Sequence, residues 1–133
     1  MEADKAARRR WRILAIEDDE PTRMLFALAL EDEGFSVATA RNGLEALRLL
    51  ETEAFDLILL DLHMPGLDGQ DFLRVYHQRS GPAAPVLVVS AQPHLEESIG
   101  PGPRPDGFLA KPFDIDQLRA KVLQLVGGAN GER

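Results

Sequence analysis

The stretch Pro85-Val86-Leu87-Val88-Val89-Ser90 decides the fold. Its four apolar positions include three β-branched valines, opened by a proline and closed by a hydroxyl. That reads as a strand buried on both faces, because a half-exposed strand alternates polar with apolar residues. Outward from it, related runs recur at Ile13 to Ile16, Phe35 to Ala40, Phe55 to Leu60 and Phe108 to Ala110. Helical stretches separate them. Pro21 opens one as a first-turn proline, with Met24, Leu25, Leu28 and Leu30 as its apolar face and Gly34 as its left-handed stop. Asn42-Gly43 reads as a turn before a second helix that carries Leu44, Leu47, Leu49 and Leu50. The spacing predicts a third helix over Gln70 to Gln78, with Phe72, Leu73 and Val75 inward. It also predicts a closing helix through Ile115, Leu118, Val122, Leu125 and Val126. Buried strands alternating with helices imply an α/β fold: a doubly wound, five-stranded parallel sheet with helices on both faces.

With 133 residues, 44% of them hydrophobic and 28% charged, the chain has the make-up of one soluble domain and not of a disordered or fibrous protein. No apolar run approaches the roughly 20 residues that a spanning helix needs, and the N-terminus lacks a secretory apolar region, so a cytoplasmic protein is expected. The absence of cysteine excludes disulfides, thiolate zinc sites and thiol nucleophiles. The net charge of −7 is asymmetric: residues 1–12 carry five basic and two acidic side chains, the remainder ten and twenty. An acidic body argues against direct nucleic-acid binding. The run Arg8-Arg9-Arg10-Trp11-Arg12 belongs to a flexible basic extension over residues 1–11, followed by a folded domain over 12–126 and a tail over 127–133.

Ligands of doubly wound folds sit beyond the carboxyl ends of the strands. At those ends stand Glu17 and Asp18 after the first strand, Asp61 after the third, Ser90 after the fourth and Lys111 after the fifth. Carboxylates packed within about 4 Å repel by about 4 kcal/mol at an effective dielectric of 20, so the cluster calls for a cation. An all-oxygen donor set suits Mg²⁺, which commonly bridges carboxylates to a phosphate. Lys111, a compact point charge, suits one phosphoryl group, and Ser90 suits donation to a phosphoryl oxygen. Asp61 then reads as the nucleophile that forms an acyl phosphate.

These residues carry a family resemblance. The chain resembles the receiver domain of two-component response regulators in Ile13-Leu14-Ala15-Ile16-Glu17-Asp18-Asp19, Leu59-Leu60-Asp61-Leu62-His63-Met64-Pro65-Gly66, Val88-Val89-Ser90-Ala91 and Phe108-Leu109-Ala110-Lys111-Pro112-Phe113. The match covers residues 12–126. It implies a flavodoxin-like strand order, 2-1-3-4-5, and phosphorylation of Asp61 by a sensor histidine kinase or phosphotransfer protein. It implies Mg²⁺, with Mn²⁺ as the alternative, held by Asp18, Asp61 and the backbone carbonyl of His63, with Glu17 assisting through water. Ser90 and Phe108 are implied as the switch pair. Added phosphoryl charge would draw Ser90 and Lys111 inward and leave room for the Phe108 ring. His63 and Gln92, each two residues past Asp61 and Ser90, match positions that tune phosphoryl lifetime. The resemblance further implies a signalling domain and not an enzyme, a monomer or weak dimer whose output is contact with a downstream protein target.

One segment departs from the family pattern. Prolines and glycines in Ile99-Gly100-Pro101-Gly102-Pro103-Arg104-Pro105-Asp106-Gly107 cannot sustain a helix, so the fourth helix is expected to be short, about Leu95 to Ile99, or disordered. Three rival functions meet the same residues. An aspartyl phosphohydrolase normally has a second acid where His63 stands, and the first loop, Glu17-Asp18-Asp19-Glu20, repels a flavin phosphate. The alternative is a receiver-like interaction module that works without phosphorylation. Because only Gly127 to Arg133 follow the last helix, a stand-alone protein is the expectation.

Overall fold

A computed structural model describes residues 11–62, 69–79, 83–91 and 104–130, the last four by backbone only. The basic run up to Arg10, the expected helix at Leu95 to Ile99, His63 and Gln92 lie outside the described residues. Five strands form one parallel sheet: β1 (Arg12–Ile16), β2 (Ser36–Ala40), β3 (Leu57–Asp61), β4 (Val86–Ser90) and β5 (Gly107–Ala110). Their order is β2-β1-β3-β4-β5, as expected from the resemblance. Among the described residues the helices are α1 (Glu20–Asp32), α2 (Gly43–Thr52), α3 (Gly69–Gln78) and α4 (Ile115–Asn130).

Strand side chains alternate between two cores. Leu14, Ile16, Ile58, Leu60, Val86 and Val88 face α2 and α3, packing with Ala46, Leu50, Phe72, Leu73 and Tyr76. Ile13, Ala15, Leu57, Leu59, Leu87, Val89 and Leu109 face α1 and α4, packing with Phe26, Leu30, Leu118, Val122 and Val126. Each buried valine, leucine, isoleucine or phenylalanine among them contributes about 1.5–3 kcal/mol through apolar surface withdrawn from water.

Several helix faces differ from the expectation. On α1 the inward residues are Phe26 and Leu30, whereas Met24, Leu25 and Leu28 are exposed. Phe26 and Leu30 are an i, i+4 pair, the spacing that stacks side chains on one face. On α2, Ala46 and Leu50 are inward and Leu44 is exposed. On α3, Tyr76 replaces Val75 in the core, and its hydroxyl donates to Ala84 O at 3.1 Å and accepts from Ala84 N at 2.6 Å. Ile115 is exposed on α4. Asn42 is a helix cap and not a turn residue, its side chain accepting from Glu45 N at 2.8 Å. Gly34 adopts the expected left-handed conformation, with φ of 101°.

The amino-end rim of the sheet is fastened. Arg12 N donates to Asp56 Oδ2 at 2.7 Å, its guanidinium pairs with Glu53 at 2.5 Å, and the same group covers the Phe55 ring at 4.7 Å. Val86 N and Asp106 Oδ2 meet at 2.8 Å at the start of β4.

Candidate functional site

Parallel pairing brings the strand ends to one rim. Ile16 pairs with Leu60, Asp61 with Val89 and Ser90 with Ala110. Glu17 follows β1 directly and Lys111 follows β5, while Asp61 and Ser90 are themselves the last residues of β3 and β4. The register alone therefore sets Glu17, Asp61, Ser90 and Lys111 side by side. One carboxylate oxygen each from Glu17, Asp18 and Asp61 lies within 4.8 Å of the others. Glu17, Asp61 and Ser90 are buried and Asp18 is exposed, so the cluster opens to solvent on one side.

The electrostatics centre on Glu17. Its Oε1 accepts from Lys111 Nζ at 2.9 Å and its Oε2 from Asp19 N at 3.2 Å. Burial pushes its carboxyl up from 4.5 to about 7; the Lys111 hydrogen bond opposes that rise and the nearby Asp61 charge adds to it. Among the described residues the donor set fits a hard divalent cation: three carboxylates with no sulfur or imidazole beside them, and one ammonium to balance them.

The loop carrying Glu17 and Asp18 is held on all sides. Glu17 N donates to Ala40 O at the end of β2, at 3.0 Å. Asp19 caps α1, accepting from Thr22 N at 3.1 Å and Thr22 Oγ1 at 2.5 Å, and these bonds hold its carboxyl below 3.8. Arg23 Nη1 donates to the main-chain oxygens of Glu17 at 3.0 Å and Asp18 at 3.4 Å. Across the rim, Gly69 opens α3 so close to β3 that a Cβ would lie 2.6 Å from Leu62 Cα and 2.8 Å from Asp61 O. Phe113, two residues past Lys111, stacks on Phe26 of α1 at 5.7 Å between ring centroids.

Every expected site residue that the structure describes lies on this rim except Phe108. Phe108 pairs with Val88 and packs, half-buried, on the α2–α3 side of the sheet. Its ring stands 5.9 Å from the Arg104 guanidinium carbon. The Lys111–Pro112 peptide is cis. Sequence reasoning missed Arg23, Gly69 and Phe113. The approach of Gly69 to the Asp61 and Leu62 backbone has no local signature, although the Asp68-Gly69 pair does mark a position tolerant of close approach.

The model of the response regulator receiver domain matches residues 13–123. The uncharacterized transcriptional regulatory protein YcbL of Bacillus subtilis is 36% identical over 110 residues, 82% of this chain and 48% of that protein. Transcriptional regulatory protein QseB of Escherichia coli O157:H7 is 35% identical over 122 residues, 91% of this chain and 55% of that protein. The chain thus spans about half the length of these relatives. The charge argument against nucleic-acid contact concerns its own acidic body and not those longer proteins. Among solved structures, response regulator TrrA of Thermotoga maritima in complex with Mg²⁺-BeF has a TM-score of 0.76 at 29% identity, covering 86% of this chain and 98% of that one. The receiver domain of a sensor histidine kinase from Pseudomonas aeruginosa, with magnesium coordinated in its active-site cleft, has a TM-score of 0.77 at 27% identity, covering 88% and 98%. No helix among the described residues is long and apolar enough to cross a membrane.

Proposed function

This chain belongs to the response regulator receiver domain family, and from that premise we propose that Asp61 accepts a phosphoryl group from a histidine kinase or phosphotransfer protein in the cytoplasm. The added charge is then read by a downstream protein partner. The observation that carries this reading is the meeting of Glu17, Asp18 and Asp61 oxygens within 4.8 Å, beside a lysine that already hydrogen-bonds one of them.

An Asp61 carboxylate oxygen attacks phosphorus, the bond from phosphorus to the donor imidazole breaks, and the imidazole leaves as an acyl phosphate forms. Mg²⁺, or Mn²⁺ in its place, would be held by Asp18 and Asp61, backed by Glu17 and the His63 carbonyl, and would supply positive charge to offset the carboxylates and the phosphoryl group. Lys111 carries three donors, of which one is committed to Glu17 Oε1, and its others can turn to a phosphoryl oxygen. Ser90 ends the strand next to Asp61 and offers a hydroxyl on the same rim. The half-buried Phe108 ring follows any inward movement of Ser90, and Gln92 and His63 screen the hydrolytic water.

The test is incubation with acetyl phosphate and Mg²⁺ followed by intact mass measurement, with Asp61→Asn and a chelated sample alongside. A hydroxylamine-labile phosphoryl adduct that both controls lose is the expected result. A folded chain that binds Mg²⁺ yet gains no adduct would replace this reading with a phosphorylation-independent interaction module.

A further inference from the structure

The loop after β1 has an unusual problem. Its two carboxylates must stay aimed at Asp61 although carboxylates gathered this closely repel one another. Hydrogen bonds to the carboxylates themselves would hold them, but would also occupy the oxygens a cation needs. On Glu17 both oxygens are already engaged, Oε1 by Lys111 and Oε2 by Asp19 N, so a further hold on the pair that leaves the Asp18 and Asp61 oxygens open is needed. A fastening that spares the carboxylates has to act on the main chain.

Arg23 supplies such a fastening. It sits on the first turn of α1, and its Nη1 reaches back to both main-chain oxygens of the acidic pair, at 3.0 Å to Glu17 and 3.4 Å to Asp18. Its own amide donates to Asp19 O at 2.9 Å, so the anchor is part of the helix that the loop enters. We propose that Arg23 is a positioning residue of the cation pocket, which holds the Glu17-Asp18 main chain so that their carboxylates meet Asp61. The inference rests on the cation-pocket reading given above.

The charge of Arg23 and its geometry pull in opposite directions, which makes the sign of the effect decisive. A positive group beside the pocket repels Mg²⁺, so if charge were the whole of its influence, removing it would tighten Mg²⁺ binding. If it positions the loop, removing it weakens binding, as loss of groups that orient ligands typically does.

Mg²⁺ affinity is measured by amide chemical-shift titration of the full chain, for wild type, Arg23→Met and Arg23→Lys, with the melting temperature of each metal-free protein recorded. Methionine keeps the apolar stem without the donor. Lysine keeps a donor able to reach the carbonyls. The expected result is a dissociation constant about tenfold weaker in Arg23→Met, with Arg23→Lys recovering most of the loss, while the metal-free melting temperatures stay close together. Unchanged or tighter Mg²⁺ binding in folded Arg23→Met overturns the proposal and leaves the pocket reading intact. Should Arg23→Met fail to fold, Arg23→Ala in the presence of a stabilising osmolyte is judged by the same criterion. A wild-type chain that takes up no Mg²⁺ overturns the pocket reading and this inference together.

Discussion

Lys111 and Glu17, 94 residues apart in the chain, form an ion pair of 2.9 Å in which the glutamate side chain is almost wholly buried and the lysine side chain keeps about a quarter of its surface. The pair closes the rim between β1 and β5 across the intervening strands. Its energetics are lopsided, since removing the lysine strands a buried carboxylate whereas removing the carboxylate leaves an ammonium with access to water.

Lys111→Met is therefore expected to destabilise the metal-free protein by about 1–3 kcal/mol at pH 8, where Glu17 carries its charge. At pH 5.5 Glu17 is protonated and the loss should shrink. Urea unfolding at the two pH values checks this, and an equal loss at both would show that the lysine acts through packing alone.

Glu17 also sets a pH dependence of stability. Its carboxyl binds a proton more tightly in the native state, at about 7, than in the unfolded chain, at 4.5. Between these values the native state holds more protons, so this group's contribution is fully present below pH 4.5 and is lost as pH rises through 7. Metal-free protein should lose stability over that window, and Glu17→Gln should flatten the slope. The Asp19 shift has the opposite sign but acts below 3.8, outside the window. Saturating Mg²⁺ favours the ionised carboxyl and should reverse the slope, so uptake of Mg²⁺ near pH 6 releases protons that calorimetry in two buffers can count.

Gly69→Ala is expected to cost about 1–3 kcal/mol, as overpacking does, because the new methyl would meet backbone atoms of Leu62 and Asp61 at 2.6 and 2.8 Å. Those atoms belong to the acceptor strand and the residue after it, so Mg²⁺ affinity should fall as well. A melt and a Mg²⁺ titration of the variant test the two effects separately.

Tyr76→Phe keeps the ring stacked on Phe72 at 5.7 Å but removes the hydroxyl that serves both Ala84 N and Ala84 O. Leaving these two backbone groups of Ala84 without the hydroxyl should cost about 1–3 kcal/mol in urea unfolding, without change in Mg²⁺ binding.

The rim was legible because β1, β3, β4 and β5 are apolar runs that stop at or just before a chemistry-bearing residue, and parallel register then needs no further information to align Glu17, Asp61, Ser90 and Lys111. Helix faces were less legible. α1 carries apolar side chains around most of its circumference, and only the sheet beneath it selects Phe26 and Leu30 over Met24, Leu25 and Leu28. The stack of Phe26 on Phe113 and the reach of Arg23 to two carbonyls are tertiary facts. No periodicity encodes a contact between residues 87 positions apart, and no propensity marks which arginine turns back on its own loop.

The strand order gives the rim a left and a right. β1 and β3 bring the acids, while β4 and β5, on the other flank of Asp61, bring the hydroxyl and the ammonium. An ion and a transferred group can thus be hosted on opposite shoulders of one carboxylate. Under the proposed function, a protein that reads the transferred group would approach the β4–β5 shoulder and leave the β1–β2 shoulder to a second visitor at the same moment.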